Sequence, residues 1–95
     1  MTDPTAPVTT RTWSVEIFLG ERDGQTHAQA RLHTGDRTSL TATGEARLNP
    51  SDRDVPEIGD ELAAARALSG LAHLLLDAAA GDIEGVTHER VSLDR

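Results

Sequence analysis

The stretch Asn49–Glu84, which reads NPSDRDVPEIGDELAAARALSGLAHLLLDAAAGDIE, decides the fold of this 95-residue chain. Its apolar residues recur at helical spacing over about eight turns, which predicts one long helix. Asp54 is predicted to be the N-cap, because Glu57 three residues later completes a capping box. Pro56 suits the first turn of the helix, where its missing N–H group has no partner to lose.

The predicted helix ends near Gly81, a residue type typical of helix C-caps, although residues 82–84 can add one more turn. The following segment, Val86–Leu93, has weak apolar content. It is predicted to be either a short final strand or a docked tail.

One side of the predicted helix carries the larger apolar residues and is expected to cover a sheet. Glu61 falls near the middle of this stripe, close to the helix start. It is expected either to reach water or the first-turn N–H groups, or to pair with an arginine. The stripe comprises Ile58, Leu62, Ala65, Leu68, Ala72, Leu75, Leu76 and Ala79.

The opposite side of the helix is small and apolar where a solvated face would be charged. This pattern predicts a helix contact with a second subunit; the alternative is an alanine-rich helix selected for propensity alone. Leu74 favours the interface, because propensity does not favour an exposed leucine over glutamate or glutamine. The predicted dimer interface comprises Ala63, Ala67, Gly70, Leu71, Leu74 and Ala78.

Three alternating segments precede the helix and predict an antiparallel meander. They are Thr12–Leu19, Gln25–His33 and Thr38–Leu48, separated by glycine-containing turns at residues 20–24 and 34–37. The inward residues are expected to be Trp13, Val15, Ile17 and Leu19 on the first strand, Thr26, Ala28, Ala30 and Leu32 on the second, and Leu40, Ala42, Gly44, Ala46 and Leu48 on the third. The predicted fold class is α+β, in the order β-β-β-α, with the helix on one face of the sheet.

The domain organisation follows from length and composition. Residues 1–11 contain two prolines and four threonines, which predicts a disordered tail, and residues 12–95 are predicted to form one domain. The only aromatic residues are one tryptophan and one phenylalanine. A thin aliphatic core of this kind often gains stability from oligomerisation.

Composition also limits the location and the partners of the protein. The absence of cysteine excludes disulfides and thiolate metal sites and fits a cytoplasmic protein. We find no signal peptide and no apolar run near the roughly 20 residues that span a bilayer, so we expect no membrane association. The net charge of −7 makes direct nucleic-acid binding doubtful except at a local arginine patch.

Basic and aromatic residues share the outer face of the predicted sheet, an arrangement that several RNA-binding domains use. The alternative is an ordinary solvated sheet face of mixed charge, which Glu16 and Glu45 on the same face favour. The candidate binding surface comprises Phe18, His27, Arg31, His33 and Arg47.

No pattern in the sequence indicates an enzyme. The serines lack a G-x-S-x-G elbow, and Gly59 and Gly70 form no phosphate loop. His73 and Asp77 stand four residues apart on the helix, but two ligands are too few for a metal site. We therefore expect no catalytic residues, no cofactor and no metal.

The runs Ala46–Pro50 (ARLNP) and Asp54–Leu68 (DVPEIGDELAAARAL) resemble a family of small actinobacterial proteins of unknown function, including mycobacterial hypothetical proteins linked to dormancy. The likeness extends from Thr12 to about Glu89. It implies a fold similar to the double-stranded-RNA-binding domain, and it implies homodimers whose shape is similar to ribosome hibernation-promoting factors. That likeness of shape suggests a ribosome-associated role in stasis, and it supplies no catalytic or binding residues.

The sequence thus predicts a non-enzymatic, homodimeric cytoplasmic protein that acts in stress or dormancy, with the ribosome as a candidate partner. The alternative function is a protein–protein interaction module with no nucleic-acid contact.

Overall fold

The computed structural model of the chain describes residues 7–36, 39–47 and 56–87. Strands β1 (Ser14–Arg22), β2 (Gln25–His33) and β3 (Ser39–Arg47) precede a single long helix, α1 (Pro56–Thr87). The strands form one antiparallel sheet in the order β1-β2-β3, and α1 packs on one of its faces. The predicted α+β class and its β-β-β-α order are confirmed.

A two-residue turn joins β1 to β2. Asp23 and Gly24 have φ angles of 53° and 75°, so both central residues adopt the left-handed conformation of a type I′ turn. The strands therefore pair up to Arg22 and Gln25. The turn predicted over residues 20–24 was too long, because β1 begins and ends later than the alternation of its apolar residues indicated.

The strand register places the inward residues of β2 under the helix, as predicted. Thr26, Ala28, Ala30 and Leu32 are all buried, with exposures of 4% or less. Their partners on β3 are Ala46, Gly44, Ala42 and Leu40, which are buried or half-buried. Leu48 lies outside the described residues.

The helix approaches β3 so closely that there is no room for a side chain at Gly44. A Cβ atom there would lie 2.4 Å from the carbonyl oxygen of Ala63 and 2.4 Å from the amide nitrogen of Ala67. At Gly70, a Cβ atom would lie 3.2 Å from the Cβ of Ala42. Small residues on both elements therefore allow the helix backbone to pack almost directly on the strand.

The predicted assignment of the two helix sides is wrong. Ala63 and Ala67 are fully buried and Leu71 is 3% exposed, because the sheet of the same chain covers the small side; Gly70 is half-buried there as well. These residues are thus unavailable to a second subunit, while Leu74 at 37% exposure and Ala78 remain accessible.

The side that was predicted to form the core faces outward over most of its length. Ile58, Leu62 and Leu68 are 54%, 46% and 41% exposed, and Ala65 and Ala72 are exposed as well. Only Leu75, Leu76 and Ala79 are half-buried, and Leu75 packs against the core. Glu61 is exposed to solvent.

The helix is also longer than predicted. It begins at Pro56, as expected. It does not stop near Gly81, where the sequence predicted its end, but continues to Thr87. Gly81 has helical rather than left-handed geometry, so it does not act as a C-cap. The proposed N-cap, Asp54, and most of the predicted Val86–Leu93 element lie outside the described residues; the described part is helical.

By length and composition alone, residues Pro56–Gly85 would be able to cross a membrane, which differs from the expectation that no such run exists. This feature is weak evidence for a membrane-spanning helix, since a core helix of a globular domain meets the same criterion. Here, one side of the helix packs on its own sheet, and the apolar character of the other sides requires a separate explanation.

Candidate interaction surfaces

The inner face of β1 is apolar and uncovered. Val15, Ile17 and Leu19 pair with Leu32, Ala30 and Ala28, so they lie on the face of the sheet that carries the helix. They are nevertheless 42%, 38% and 47% exposed, because α1 packs on β3 and β2 and barely reaches β1. We call these three residues the open β1 face.

A second apolar surface runs along the solvent side of α1. It consists of Ile58, Leu62, Ala65, Leu68 and Ala72, which we call the outer helix stripe. It continues around the helix toward the open β1 face.

One contact of the helix fixes this direction. The Arg66 guanidinium donates a hydrogen bond of 2.6 Å to the Glu45 carbonyl on the edge strand β3. Leu68 lies about 200° further round the helix, hence on the side toward β1.

The described chain exposes more large apolar side chains than it buries. Eleven are exposed, whereas only Leu32 and Leu71 are buried, and the remaining core residues are alanines. Fully burying one such side chain stabilises by roughly 1.5–3 kcal/mol, so each half-exposed one leaves about 1 kcal/mol unrealised. Adjacent exposed residues of this kind mark an interaction site.

The opposite, outer face of the sheet carries the five residues predicted as a binding surface. Phe18, His27, Arg31, His33 and Arg47 all lie on this face by the strand register. They do not form one cluster, however. His33 and Arg47 stand at opposite ends of the sheet, roughly 27 Å apart at about 3.4 Å per residue.

Carboxylates occupy the positions beside both histidines. Nδ1 of His27 lies 3.3 Å from the Glu45 carboxylate, and Nε2 of His33 contacts the Glu16 carboxylate. Glu45 also accepts a hydrogen bond of 3.1 Å from the Gln25 amide. Carboxylates and basic residues therefore alternate on the outer face, the mixed-charge arrangement that the alternative of a solvated sheet face predicts.

The Phe18 ring lies under the guanidinium of Arg31, 5.8 Å from the ring centroid to Cζ. This distance is typical of a cation–π contact. An open depression of about 420 Å³ lies beside the ring, where Gly20 contributes no side chain. Within the described strands, an aromatic ring and a cation stand together here on the outer face.

Candidate chemistry is sparse in the part of the chain that the structure describes. No group of three or more histidine, aspartate or glutamate side chains is arranged to hold a metal ion among residues 7–36, 39–47 and 56–87. His73 is exposed on α1, and its i+4 neighbour Asp77 makes a contact of its own.

The model of the Rv2632c-like family matches residues 11–92, which include the whole sheet and the helix. The chain belongs to the Rv2632c-like family. The predicted resemblance to a small actinobacterial family is thereby confirmed. Its relatives MT1780 and Rv2632c are both called uncharacterized proteins, so membership carries the fold and no activity.

Two relatives and one solved structure illustrate this membership in the Rv2632c-like family. Uncharacterized protein MT1780 of Mycobacterium tuberculosis (strain CDC 1551 / Oshkosh) is 51% identical over 81 residues, covering 85% of each chain. Uncharacterized protein Rv2632c of M. tuberculosis (strain ATCC 25618 / H37Rv) is 44% identical over 82 residues, covering 86% of this chain and 87% of the relative. The crystal structure of Rv2632c has a TM-score of 0.79 at 40% identity, covering 88% of this chain and 99% of that chain.

Sequence reasoning missed the open β1 face and the outer helix stripe as candidate surfaces in this Rv2632c-like chain. A signal for them exists in the distribution of residue size. The inward positions of β1 carry valine, isoleucine and leucine, whereas those of the middle of β2 and β3 carry alanine and glycine. A helix packs most closely on the smaller set, which leaves the larger set uncovered.

Proposed function

We propose that this protein is a non-enzymatic cytoplasmic protein that works as a homodimer, assembled through the open β1 face and the outer helix stripe. The observation that carries the proposal is the excess of exposed over buried large apolar side chains. A domain with so thin a core gains from association with a second copy. The assembly proposed here uses a different surface from the small helix side, which the sheet covers.

The strand arm of the test compares two neighbours on β1. Ile17→Glu places a charge on the open β1 face, and Phe18→Glu places the same charge on the outer sheet face of the same strand. In sedimentation equilibrium, we expect a dimer for the wild type and for Phe18→Glu, and a monomer for Ile17→Glu. Circular dichroism of each variant establishes that it is folded.

The helix arm repeats the comparison on α1. Leu68→Glu changes the outer helix stripe, and His73→Glu changes an exposed residue about 140° further round the helix. We expect only Leu68→Glu to weaken the dimer. A wild-type protein that stays monomeric as its concentration rises to the millimolar range would contradict the proposal without any variant.

A ribosome-associated role in stress is the second candidate function. The Phe18–Arg31 contact supports it, because base stacking and phosphate contacts use an aromatic ring and a guanidinium. The paired carboxylates Glu16 and Glu45 and the net charge of −7 weigh against direct RNA contact. They favour a protein partner over rRNA.

Gradient sedimentation of lysates from starved cells tests this role. We expect the protein in the ribosomal fractions, and Phe18→Glu should shift it to the top of the gradient while leaving the dimer intact. A wild-type protein confined to the top fractions would refute the ribosome role. A stable complex with a different protein would then support the alternative of an interaction module.

A further inference from the structure

We infer that the two copies interlock: α1 of each copy lies on the open β1 face of the other, so that both helices form one layer between two sheets. This inference rests on the proposed homodimer and specifies its geometry.

The width of the sheet indicates what shape of element covers β1. Neighbouring strands are about 4.8 Å apart and a helix with its side chains is about 10 Å wide, so one helix covers roughly two strands. In this chain α1 covers β3 and β2 and leaves β1 open. The uncovered strip is about half a helix wide, so one more helix beside α1 would cover it and extend past the free edge of β1.

The helix itself supplies the matching surface. Its inner side is buried on its own sheet at Ala63, Ala67 and Leu71, and its outer side carries the exposed outer helix stripe. A helix whose apolar residues occupy two opposite sides can pack between two layers, with its polar residues on the remaining flank. Because each copy has one open strand face and one apolar outer helix side, two copies related by a two-fold axis satisfy both surfaces at once.

Other occupants match the surface less well. Residues 48–55 and 88–95 each contain only two large apolar residues, Leu48 and Val55 in the first and Val91 and Leu93 in the second, too few to cover both surfaces. A flat lipid surface that touches the outer helix stripe would not reach β1, which lies about one helix diameter, roughly 10 Å, below it.

Pairing of two β1 edges is the main rival geometry. Because Arg22 and Gln25 flank a two-residue turn, backbone groups alternate so that those of Val15, Ile17 and Leu19 point to the free edge. Two such edges would extend the sheet without placing anything on the open β1 face. Edge pairing thus satisfies the backbone and leaves the apolar side chains exposed.

Disulfide trapping between different single variants tests the inference, and the cysteine-free sequence gives it a clean background. Val15→Cys, Ile17→Cys or Leu19→Cys protein is mixed with Ala65→Cys or Ala72→Cys protein and oxidised. A disulfide requires Cβ atoms within roughly 3.5–4.5 Å, so the panel samples the unknown register of the contact. The control mixture pairs Thr43→Cys, on the outer sheet face, with Ala72→Cys.

We expect at least one strand–helix mixture to give roughly tenfold more cross-linked heterodimer than the control, since a contact raises the effective concentration of the second thiol to the millimolar range. Sedimentation of the same samples before oxidation separates the two proposals. A dimer that cross-links only between two strand variants overturns the interlocked geometry in favour of edge pairing. A dimer with no cross-link in any mixture also overturns it, whereas a monomer refutes the proposed function itself.

Discussion

The inward residues of β3 and β1 lie on the same face of the sheet, but α1 covers those of β3 and leaves those of β1 exposed. On β3, Ala42, Gly44 and Ala46 are small and lie under α1, where Gly44 touches the helix backbone. On β1, the larger Val15 and Ile17 are about 40% exposed. Between these two strands, the smaller inward side chains are therefore the covered ones and the larger ones are exposed.

The difference shows that close approach, rather than side-chain size, selects the surface on which this helix packs. A helix gains dispersion contacts along its whole length when small residues let its backbone lie on the strand. Larger inward side chains on β1 hold a neighbour further away, so they suit a separate packing partner. Substitutions on the covered and the open strands can break this contrast.

Gly44→Ala should break the covered half of the sheet. The added Cβ would lie 2.4 Å from two backbone atoms of α1, which cannot move without shifting the whole helix. We expect a loss of more than about 3 kcal/mol in the free energy of unfolding, a large fraction of the stability of so small a domain. Urea denaturation followed by circular dichroism measures the change.

Gly20→Ala is the matched control for Gly44→Ala. It also replaces a strand glycine, but nothing lies within 4 Å of the new Cβ. Its stability should equal or slightly exceed that of the wild type. Equal behaviour of the two variants would show that the helix does not press on β3.

Leu32→Ala and Val15→Ala compare a covered with an uncovered neighbour, since these two residues are partners across the β1–β2 pair. Leu32 is 2% exposed and Val15 is 42% exposed. We expect Leu32→Ala to lower the free energy of unfolding by about 3 kcal/mol at every protein concentration. Val15→Ala should cost less than about 1 kcal/mol in the monomer, because half of the side chain is already in water.

The concentration dependence sharpens this comparison. If the open β1 face is an interface, Val15→Ala should become more damaging as dimers form, while the effect of Leu32→Ala stays constant. A concentration-independent effect of Val15→Ala would argue that its face has no partner.

Gly81→Ala should stabilise the protein slightly. Gly81 lies inside α1 with helical geometry, and nothing lies within 4 Å of a Cβ added there. In a helix interior, alanine is more favourable than glycine by about 1 kcal/mol. We therefore expect the midpoint temperature of thermal unfolding to rise by a few degrees. A destabilised variant would indicate that Gly81 ends the helix after all, as its sequence position suggested.

The sequence was a good guide to the elements of the fold and a poor guide to their docking. Alternation located all three strands, with β2 matching its predicted bounds, because a period of two is a local property of the backbone. The helix start at Pro56 followed from local chemistry as well. The stop at Gly81 did not, because a glycine signals a C-cap only where the chain actually turns.

The docking prediction was wrong because a helical wheel ranks the sides of a helix without knowing the opposing surface. Leu62 and Leu68 look like core residues beside Ala63 and Ala67, yet the second pair is fully buried. The inward alanines and glycine of β3 were visible in the sequence, and they indicate a close contact. At the point of closest approach, beside Gly44, the helix has room only for small residues such as Ala63 and Ala67.

The candidate surfaces show the same division. Strand alternation alone correctly placed Phe18, His27, Arg31, His33 and Arg47 on one face, since direct pairing preserves the face. Alternation did not reveal that Glu16 and Glu45 stand within contact of the two histidines, because that depends on the register between strands. That this face binds a ligand stays a prediction.

By itself, the sequence determined the strands, the helix, their order and the membership of the family, because these depend on local periodicity and on residue identity along the chain. Only the tertiary structure decided which side of α1 is buried and which strand stays open. That choice depends on the distance of closest approach between two backbones, which is set at Gly44 by the atoms of another element.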